Sequence, residues 1–155
     1  MNCERCWTTM VQTERPTISF TVFGEPVAQG RPRFSTAGGF VRAVDPAKSR
    51  DFKHYIRLAA AQHSPERPLE GPLHLSVRVY RSTPKSFSKK RASEAEIGKI
   101  RPTQKPDGSN YLKLVEDALN GLIWRDDSQI VEAHVSKWYS SRPRIEIKIQ
   151  ELEVV

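Results

Sequence analysis

The sequence has 155 residues, 37% hydrophobic and 28% charged, with a formal net charge of +7. This length and balance predict one globular domain with a substantial core. No apolar run approaches the roughly 20 residues of a membrane span. The first residues lack the apolar core of a signal peptide, so we expect a cytoplasmic protein. The positive charge favours a polyanionic partner, nucleic acid first and an anionic membrane surface second; a merely soluble basic protein is the plainer alternative.

The first 15 residues are predicted to be a disordered leader, and residues 16–155 the folded domain. Cys3 and Cys6 form a C-x-x-C pair, which is half of a zinc site, and the sequence contains no second half. Incidental thiols in a leader are therefore the favoured interpretation. A metal site shared between two chains of a dimer is the alternative.

The first predicted elements are a strand, a basic loop and a helix. TISFTVF (17–23) alternates apolar and polar residues, as a half-buried strand does. Residues 24–40 are rich in Gly, Pro and Arg and predict a basic loop or hairpin arm. A helix is predicted over 47–62, with Asp45 as its cap and Pro46 in its first turn. Its apolar side is predicted to contain Phe52, Tyr55, Ile56, Ala59 and Ala60.

The middle of the chain predicts a second strand and the principal helix. LHLSVRVY (73–80) alternates as a strand does, and the basic segment 84–106 predicts a short helix between two loops. The principal helix is predicted to begin at Ser109 or Asn110 and to end at Gly121. Its apolar stripe is predicted to consist of Leu112, Val115, Leu119 and Leu122.

The last two segments, 129–140 and 143–152, alternate strongly and are separated by a short turn. They predict an antiparallel hairpin. The element order does not repeat βαβ units. We therefore predict an α+β domain with a mixed sheet and two main helices.

Acidic residues flank the principal helix. Asp107 precedes it, and Asp126 and Asp127 follow it. Carboxylates bind Mg²⁺ or Mn²⁺, which activates water and neutralises charge during phosphodiester cleavage. Lys113 in the first turn can stabilise phosphate oxygens. The alternative is an ordinary Asp-Asp turn, with Lys113 paired to Asp117 on a solvated face.

The stretch KPDGSNYLKLVEDALNGLIWRDDSQIVEAHVSKWYS resembles the core of the RusA family of Holliday junction resolvases, especially its phage and prophage branch. The family pattern is K-P-D-x-D-N, a helix with an early lysine, an L-N-G turn and aromatic-x-D-D-x-Q-V. TVFGEPVAQGRPRF resembles the family's opening strand and G-R-P-R-F loop, and residues 84–107 resemble its central linker. The resemblance covers roughly residues 17–150.

The resemblance implies a homodimeric, Mg²⁺-dependent endonuclease of DNA recombination and repair, with Mn²⁺ as the alternative ion. It implies four-way DNA junctions as substrate and paired symmetric nicks in opposing strands. It makes Asp107 and Asp127 metal ligands, Asp126 a third candidate ligand, and Lys113 a phosphate-directed cation.

The sequence departs from the family pattern at position 109, where Ser109 replaces the second aspartate of K-P-D-x-D-N. Serine can bind a metal through its hydroxyl or a water but brings no charge. Three interpretations remain open: an active site with Ser109 in its outer shell, an impaired enzyme that still binds junctions, or a serine introduced to trap a complex.

The predicted DNA contacts come from two basic segments. Arg31 and Arg33 lie in the Gly-Pro-rich loop with Phe34, whose ring can stack on unpaired bases or pack beneath the loop. The second basic segment holds Lys85, Lys89, Lys90 and Arg91. From it and the following loop, Lys89, Lys90 and Lys105 are predicted to contact DNA; a solvated helix face is the alternative.

Overall fold

The computed structural model describes residues 15 and 17–153. Within this part of the chain, the strands are β1 (Thr17–Phe23), β2 (Arg33–Ser35), β3 (Arg42–Val44), β4 (Leu73–Ser82), β5 (Ile130–Ser140) and β6 (Arg144–Glu151). The α-helices are α1 (Ala47–Ala61), α2 (Lys89–Glu96) and α3 (Gly108–Leu119), and a single 3₁₀ turn covers Asp127–Gln129. Cys3, Cys6 and the predicted leader up to residue 14 lie outside the described residues.

Four strands form the main sheet, in the order β1-β6-β4-β5. Strand β6 runs antiparallel to both β1 and β4, whereas β5 runs parallel to β4. The predicted α+β fold with a mixed sheet is therefore confirmed. Helices α1 and α3 are the two main helices, and the predicted short helix is α2.

The predicted antiparallel pairing of the last two strands is wrong, because β4 lies between them. The reason is the burial of β4, whose residues Leu73 and Val77 are completely buried. Strand β5 exposes Val131 at 61% and suits the sheet edge. Strands β5 and β6 lie on either side of β4, so they are two strand spacings apart, roughly 10 Å. The short link between them can cross this distance over the end of β4.

One face of the sheet carries the core. The alternate residues of β1, β4 and β6 that point to this face are largely buried, as the period of two requires. Helix α1 packs against α3 and β1, and α3 also packs against β5. The core-facing side chains include Phe20, Val22, Leu75, Val79, Ile145, Ile147 and Ile149. The opposite sheet face is polar, which makes the domain a two-layer sandwich.

Helix α1 begins where predicted, but Asp45 does not cap it. Pro46 is the N-cap residue, with no side-chain hydrogen bond to the helix. The carboxylate of Asp45 instead accepts hydrogen bonds from Lys53 and Gln29. Phe52 is buried as predicted, whereas Tyr55 is 47% exposed, because the helix turns its buried stripe toward the small residue Ser49.

Helix α3 starts at Gly108 with Asp107 as its N-cap, so the predicted caps Ser109 and Asn110 lie inside its first turn. Its buried stripe is rotated from the predicted one. Leu112 is only partly buried, and the stripe consists of Tyr111, Leu114, Val115, Ala118 and Leu119. The small residue Ala118 and the aromatic Tyr111 fit the tight contact with α1 and the sheet, which the leucine spacing alone did not indicate. Gly121 has a φ of 76° just past the helix end, which confirms its predicted role.

The basic loop after β1 folds into a two-stranded arm formed by β2 and β3. Its base is fixed to α1, because buried Ser49 accepts a hydrogen bond from the Gly30 amide and donates one to the Ala28 carbonyl. Phe34 on the arm is 77% exposed, so the alternative in which its ring packs beneath the loop is wrong.

In the described part of the chain, no helix combines the length and apolar character needed to cross a bilayer.

Candidate active site

Helix α3 presents a polar face opposite its buried stripe. Ser109, Lys113 and Glu116 follow one another at spacings of four and three, so they share this face. Ser109 and Lys113 are exposed, whereas Glu116 is partly buried. Two of the predicted site residues, Ser109 and Lys113, lie on this face.

Asp127 is held against this region by a buried tryptophan. The Nε1 of Trp124, a residue with no exposed surface, donates a hydrogen bond of 2.9 Å to Oδ1 of Asp127. A buried indole N–H requires an acceptor, and the carboxylate three residues later supplies it. The second oxygen of Asp127 has no protein hydrogen-bond donor among the described residues. The local fold therefore orients one predicted metal ligand.

Glu116 is a carboxylate that the sequence analysis did not identify. Its burial, followed by the negative charge of Asp127, raises the pKa of Glu116, and Lys113 opposes the shift. The carboxylates of Glu116 and Asp127 therefore lie close enough to repel each other. A divalent cation between them would relieve this repulsion, and oxygen ligands of this kind suit Mg²⁺.

Lys113 lies among these acidic groups. Its Nζ is 3.0 Å from Asp117 Oδ1, the pairing considered in the sequence analysis. The hydrogen bond to Asp117 is the main cause of the raised pKa of Lys113, and the charges of Asp127 and Glu116 add to it. The Lys113 side chain is 56% exposed, so it is accessible to solvent on this face of α3.

Asp126 has a structural role in the same turn. Its carboxylate caps the 3₁₀ turn by accepting hydrogen bonds from the backbone amide and hydroxyl of Ser128. These hydrogen bonds lower the pKa of Asp126. In return, the side chain of Gln129 accepts a hydrogen bond from the Asp126 amide. The capping box fixes the turn that carries Asp127, and Ser128 occupies Oδ2 of Asp126, one of the two oxygens that a third metal ligand would offer.

Asp107 is exposed at the N-terminus of α3, and its carboxylate makes no capping hydrogen bond. The preceding loop is anchored from the sheet. Lys137 Nζ donates to the carbonyls of Gln104 and Pro106 at 3.0 Å each, and Arg81 donates to the carbonyl of Lys105 at 3.2 Å. Two strands therefore determine where Asp107 lies.

The structure does not bring all the predicted ligands together. Asp127 lies beside Lys113 and Glu116, about 9 to 13 Å along the helix axis from Asp107 at 1.5 Å per residue. Among residues 15 and 17–153, no three His, Cys, Asp or Glu side chains form a group that could hold a metal ion. The donor set that the fold does assemble is two carboxylates, which is enough for an ion that retains several waters.

The basic arm begins beside the N-terminus of α3. The backbone N–H of Gln29 donates a hydrogen bond to the backbone carbonyl of Asn110 at 3.0 Å, which places the base of the arm at the first turn of α3. Arg31 and Arg33 are exposed just beyond it. Phe40 and Val41, at the turn of the arm, are 73% and 70% exposed and were not identified from sequence.

The second basic segment is also exposed. Lys89 and Lys90 lie in the first turn of α2, and Lys105 lies in the loop leading to Asp107. None of the three takes part in a salt bridge within the described ranges. Their charges are therefore available to a polyanion.

Four residues of the site were missed in the sequence analysis: Glu116, Trp124, Arg81 and Lys137. The first two carry a usable signal. Glu116 is three residues from Lys113 on one helix face, and the Trp124 indole needs an acceptor that Asp127 can provide. Arg81 and Lys137 carry no such signal, because their contacts depend on which strands are neighbours.

Comparisons with known proteins show which family the chain belongs to. The family model "Endodeoxyribonuclease RusA" matches residues 24–150, most of the chain. A relative from Bacillus subtilis (strain 168), named "Uncharacterized protein YqaN", is 56% identical over 137 residues, which is 87% of this chain and 96% of the relative. The match to the family model begins at residue 24, near the base of the basic arm, and includes Asp107, Lys113, Glu116 and Asp127. The chain belongs to the RusA family of Holliday junction endonucleases.

Proposed function

We propose that this protein is a divalent-metal-dependent endonuclease that resolves four-way DNA junctions by paired, symmetric nicks. The observation that carries the proposal is the acidic face of α3, where Trp124 orients Asp127 and the charge of Asp127 acts on both Glu116 and Lys113. A strongly basic arm starts at the same helix. Acidic ligands next to a cationic DNA-binding surface are what metal-assisted phosphodiester cleavage requires.

Asp127 and Glu116 would hold the ion, with Asp107 reaching it through water or after movement of the loop. Mg²⁺ is the expected ion and Mn²⁺ the alternative, since both are hard cations that prefer oxygen ligands. When bound, the ion supplies an activated water and neutralises charge on the phosphate. The Trp124 indole keeps Asp127 oriented toward the ion.

The remaining residues bind and orient DNA. Lys113 directs its ammonium group toward a phosphate oxygen next to the carboxylates. Arg31 and Arg33 grip the phosphates that flank the cut. Phe34, exposed on the same arm, stacks against bases that are unpaired at the junction centre.

A homodimer fits the reaction. Two symmetric nicks in a substrate of approximate two-fold symmetry call for two sites related by a two-fold axis. One chain supplies one acidic face on α3, so two chains supply the two sites.

A second candidate function is junction binding without cleavage. It is favoured by Ser109, which stands where the family pattern has a second carboxylate at the start of α3. Both candidates bind branched DNA, and only the first cuts it.

The test is cleavage of a labelled synthetic four-way junction and of a linear duplex, each with Mg²⁺, Mn²⁺ or chelator. We expect paired nicks at symmetric positions in the junction, no nicks with chelator, and little cutting of the duplex. Tight junction binding with no cutting in either metal would establish the second candidate. Equal affinity for junction and duplex would count against both.

A further inference from the structure

A pocket of about 340 Å³ lies away from the acidic face, between the segment around α2 and the C-terminal half of β5. Its volume is at the lower end of the range for small-ligand sites. Two arginines, two aromatic residues and three uncharged polar side chains account for most of its lining, and no acidic residue lines it. Its lining includes Phe87, Arg91, Arg101, Gln104 and Tyr139.

Each of the two arginines lies over an aromatic ring. The guanidinium of Arg91 lies 4.3 Å from the centre of the Phe87 ring, and that of Arg101 lies 3.3 Å from the centre of the Trp138 ring. Neither forms a salt bridge within the described part of the chain. Stacked guanidinium groups keep their outer N–H donors free and pre-arranged for a phosphate.

Contacts with β5 hold the segment around Arg101 in place beside the pocket. Arg101 Nε donates to the Lys137 carbonyl on edge strand β5 at 2.6 Å. Gly98 has a φ of 82°, and a Cβ there would lie 2.7 Å from the Trp138 ring. Only glycine allows the chain to return this closely over the tryptophan. The rings of Phe87 and Tyr139 meet edge to face at 5.7 Å, which gives the pocket an aromatic floor.

We propose that this pocket binds one unstacked nucleotide of a DNA strand, with its phosphate on Arg91 and Arg101 and its base against Phe87 and Tyr139. The segment 84–106 contains seven basic and two acidic residues, so the surroundings attract a polyanion. Gln104 lines the pocket and lies three residues before Asp107, which is at most about 10 Å along the chain. The bound nucleotide therefore lies near the N-terminus of α3, and its strand would continue from there along α3 toward Asp127 and Glu116. The role of the pocket in positioning DNA for cleavage rests on the proposed nuclease function. The binding of a nucleotide in the pocket does not.

The two described tryptophans allow a direct test by NMR. Trp138 lies beneath Arg101 and reports on the pocket, whereas Trp124 donates to Asp127 and reports on the metal site. The indole N–H signals of ¹⁵N-labelled protein are assigned with single Trp→Phe variants, including Trp7→Phe. The protein is titrated with the single-stranded pentanucleotide dT₅ in chelator and, separately, with Mg²⁺ alone.

We expect dT₅ to shift the Trp138 signal in a saturable manner. The variant Phe87→Leu/Arg91→Gln should bind dT₅ roughly fivefold to a hundredfold more weakly, as loss of base stacking predicts. Lys99→Gln removes one charge from the same segment outside the pocket lining and is the matched control. The pocket assignment is wrong if Trp138 does not respond, or if the pocket variant and Lys99→Gln bind dT₅ equally well.

The Mg²⁺ titration keeps the two proposals separate. A Trp124 response to Mg²⁺ without a Trp138 response to dT₅ would leave the metal site standing and overturn the pocket. A Trp138 response to dT₅ without any Trp124 response would leave the pocket standing as a nucleotide site and count against the nuclease.

Discussion

Replacing Lys137 with methionine tests how Asp107 is positioned. The Lys137 ammonium group donates to two loop carbonyls, those of Gln104 and Pro106, at 3.0 Å each. A hydrogen bond that involves a charged group contributes about 1.5–3 kcal/mol, and the two bonds share one charge beside solvent. We therefore expect the free energy of unfolding to fall by about 2 kcal/mol. For a chain of this size, that lowers Tm by roughly 4–8 °C.

The consequence for function is specific. Methionine keeps the length and apolar stem of the lysine but leaves both carbonyls without their donor, so the loop before Asp107 loses its anchor. Cleavage of a four-way junction should fall, while affinity for the junction changes little. Lys148→Met is the matched control, since Lys148 is an exposed strand lysine without a side-chain partner in the described residues. Thermal unfolding, gel-shift binding and cleavage rates are measured on both variants. Equal decreases in Tm for Lys137→Met and Lys148→Met would refute the reasoning. A loss of cleavage that is fully explained by weaker binding of the junction would also refute it.

Three further outcomes are expected. Ser109→Asp adds a carboxylate about 10 Å along α3 from Glu116 and should lower the Mg²⁺ needed for half-maximal cleavage about twofold to fourfold at low salt. An unchanged metal requirement, or the same effect from Ser109→Asn, would contradict this. Arg31→Gln/Arg33→Gln should weaken DNA binding and reduce the slope of log K against log salt by about 2; an unchanged slope removes these arginines from the phosphate contacts. Glu116→Gln should raise Tm in chelator near pH 7, because a raised folded pKa means that ionisation opposes folding as pH rises past the ordinary value of 4.5. This gain should vanish below pH 4.5 and be reversed by Mg²⁺, which scanning calorimetry measures.

Much of the fold follows from local patterns. The strand 17–23 was predicted with its observed bounds, because alternation of apolar and polar residues directly reflects one-sided burial. The principal helix and its end at Gly121 were also predicted. Strand pairing was not, since β5 and β6 have the alternation and short link of a hairpin, and only the burial of β4 decides which strand is central.

The acidic residues that flank α3 were predicted from the sequence, whereas Glu116 within the helix was not. Asp107 and Asp127 were identified because they flank the helix and match the acidic residues of the family pattern. The partner of Asp127 was not identified, because Glu116 reads as an ordinary surface residue until the turn at 126–129 folds back against α3. The roles of Trp124 and Lys137 depend on contacts between elements. Single-sequence patterns carry little information about such contacts.

The central claim is that Asp127, oriented by Trp124 and facing Glu116, binds the ion that cuts DNA. The most direct test is single-turnover cleavage of a labelled four-way junction by the unmodified protein and by Asp127→Asn at saturating Mg²⁺. Both must bind the junction equally in chelator. The account predicts metal-dependent nicking by the unmodified protein and a loss of at least a hundredfold in Asp127→Asn, about 2.7 kcal/mol of transition-state stabilisation. Nicking that survives the substitution at a comparable rate would contradict it.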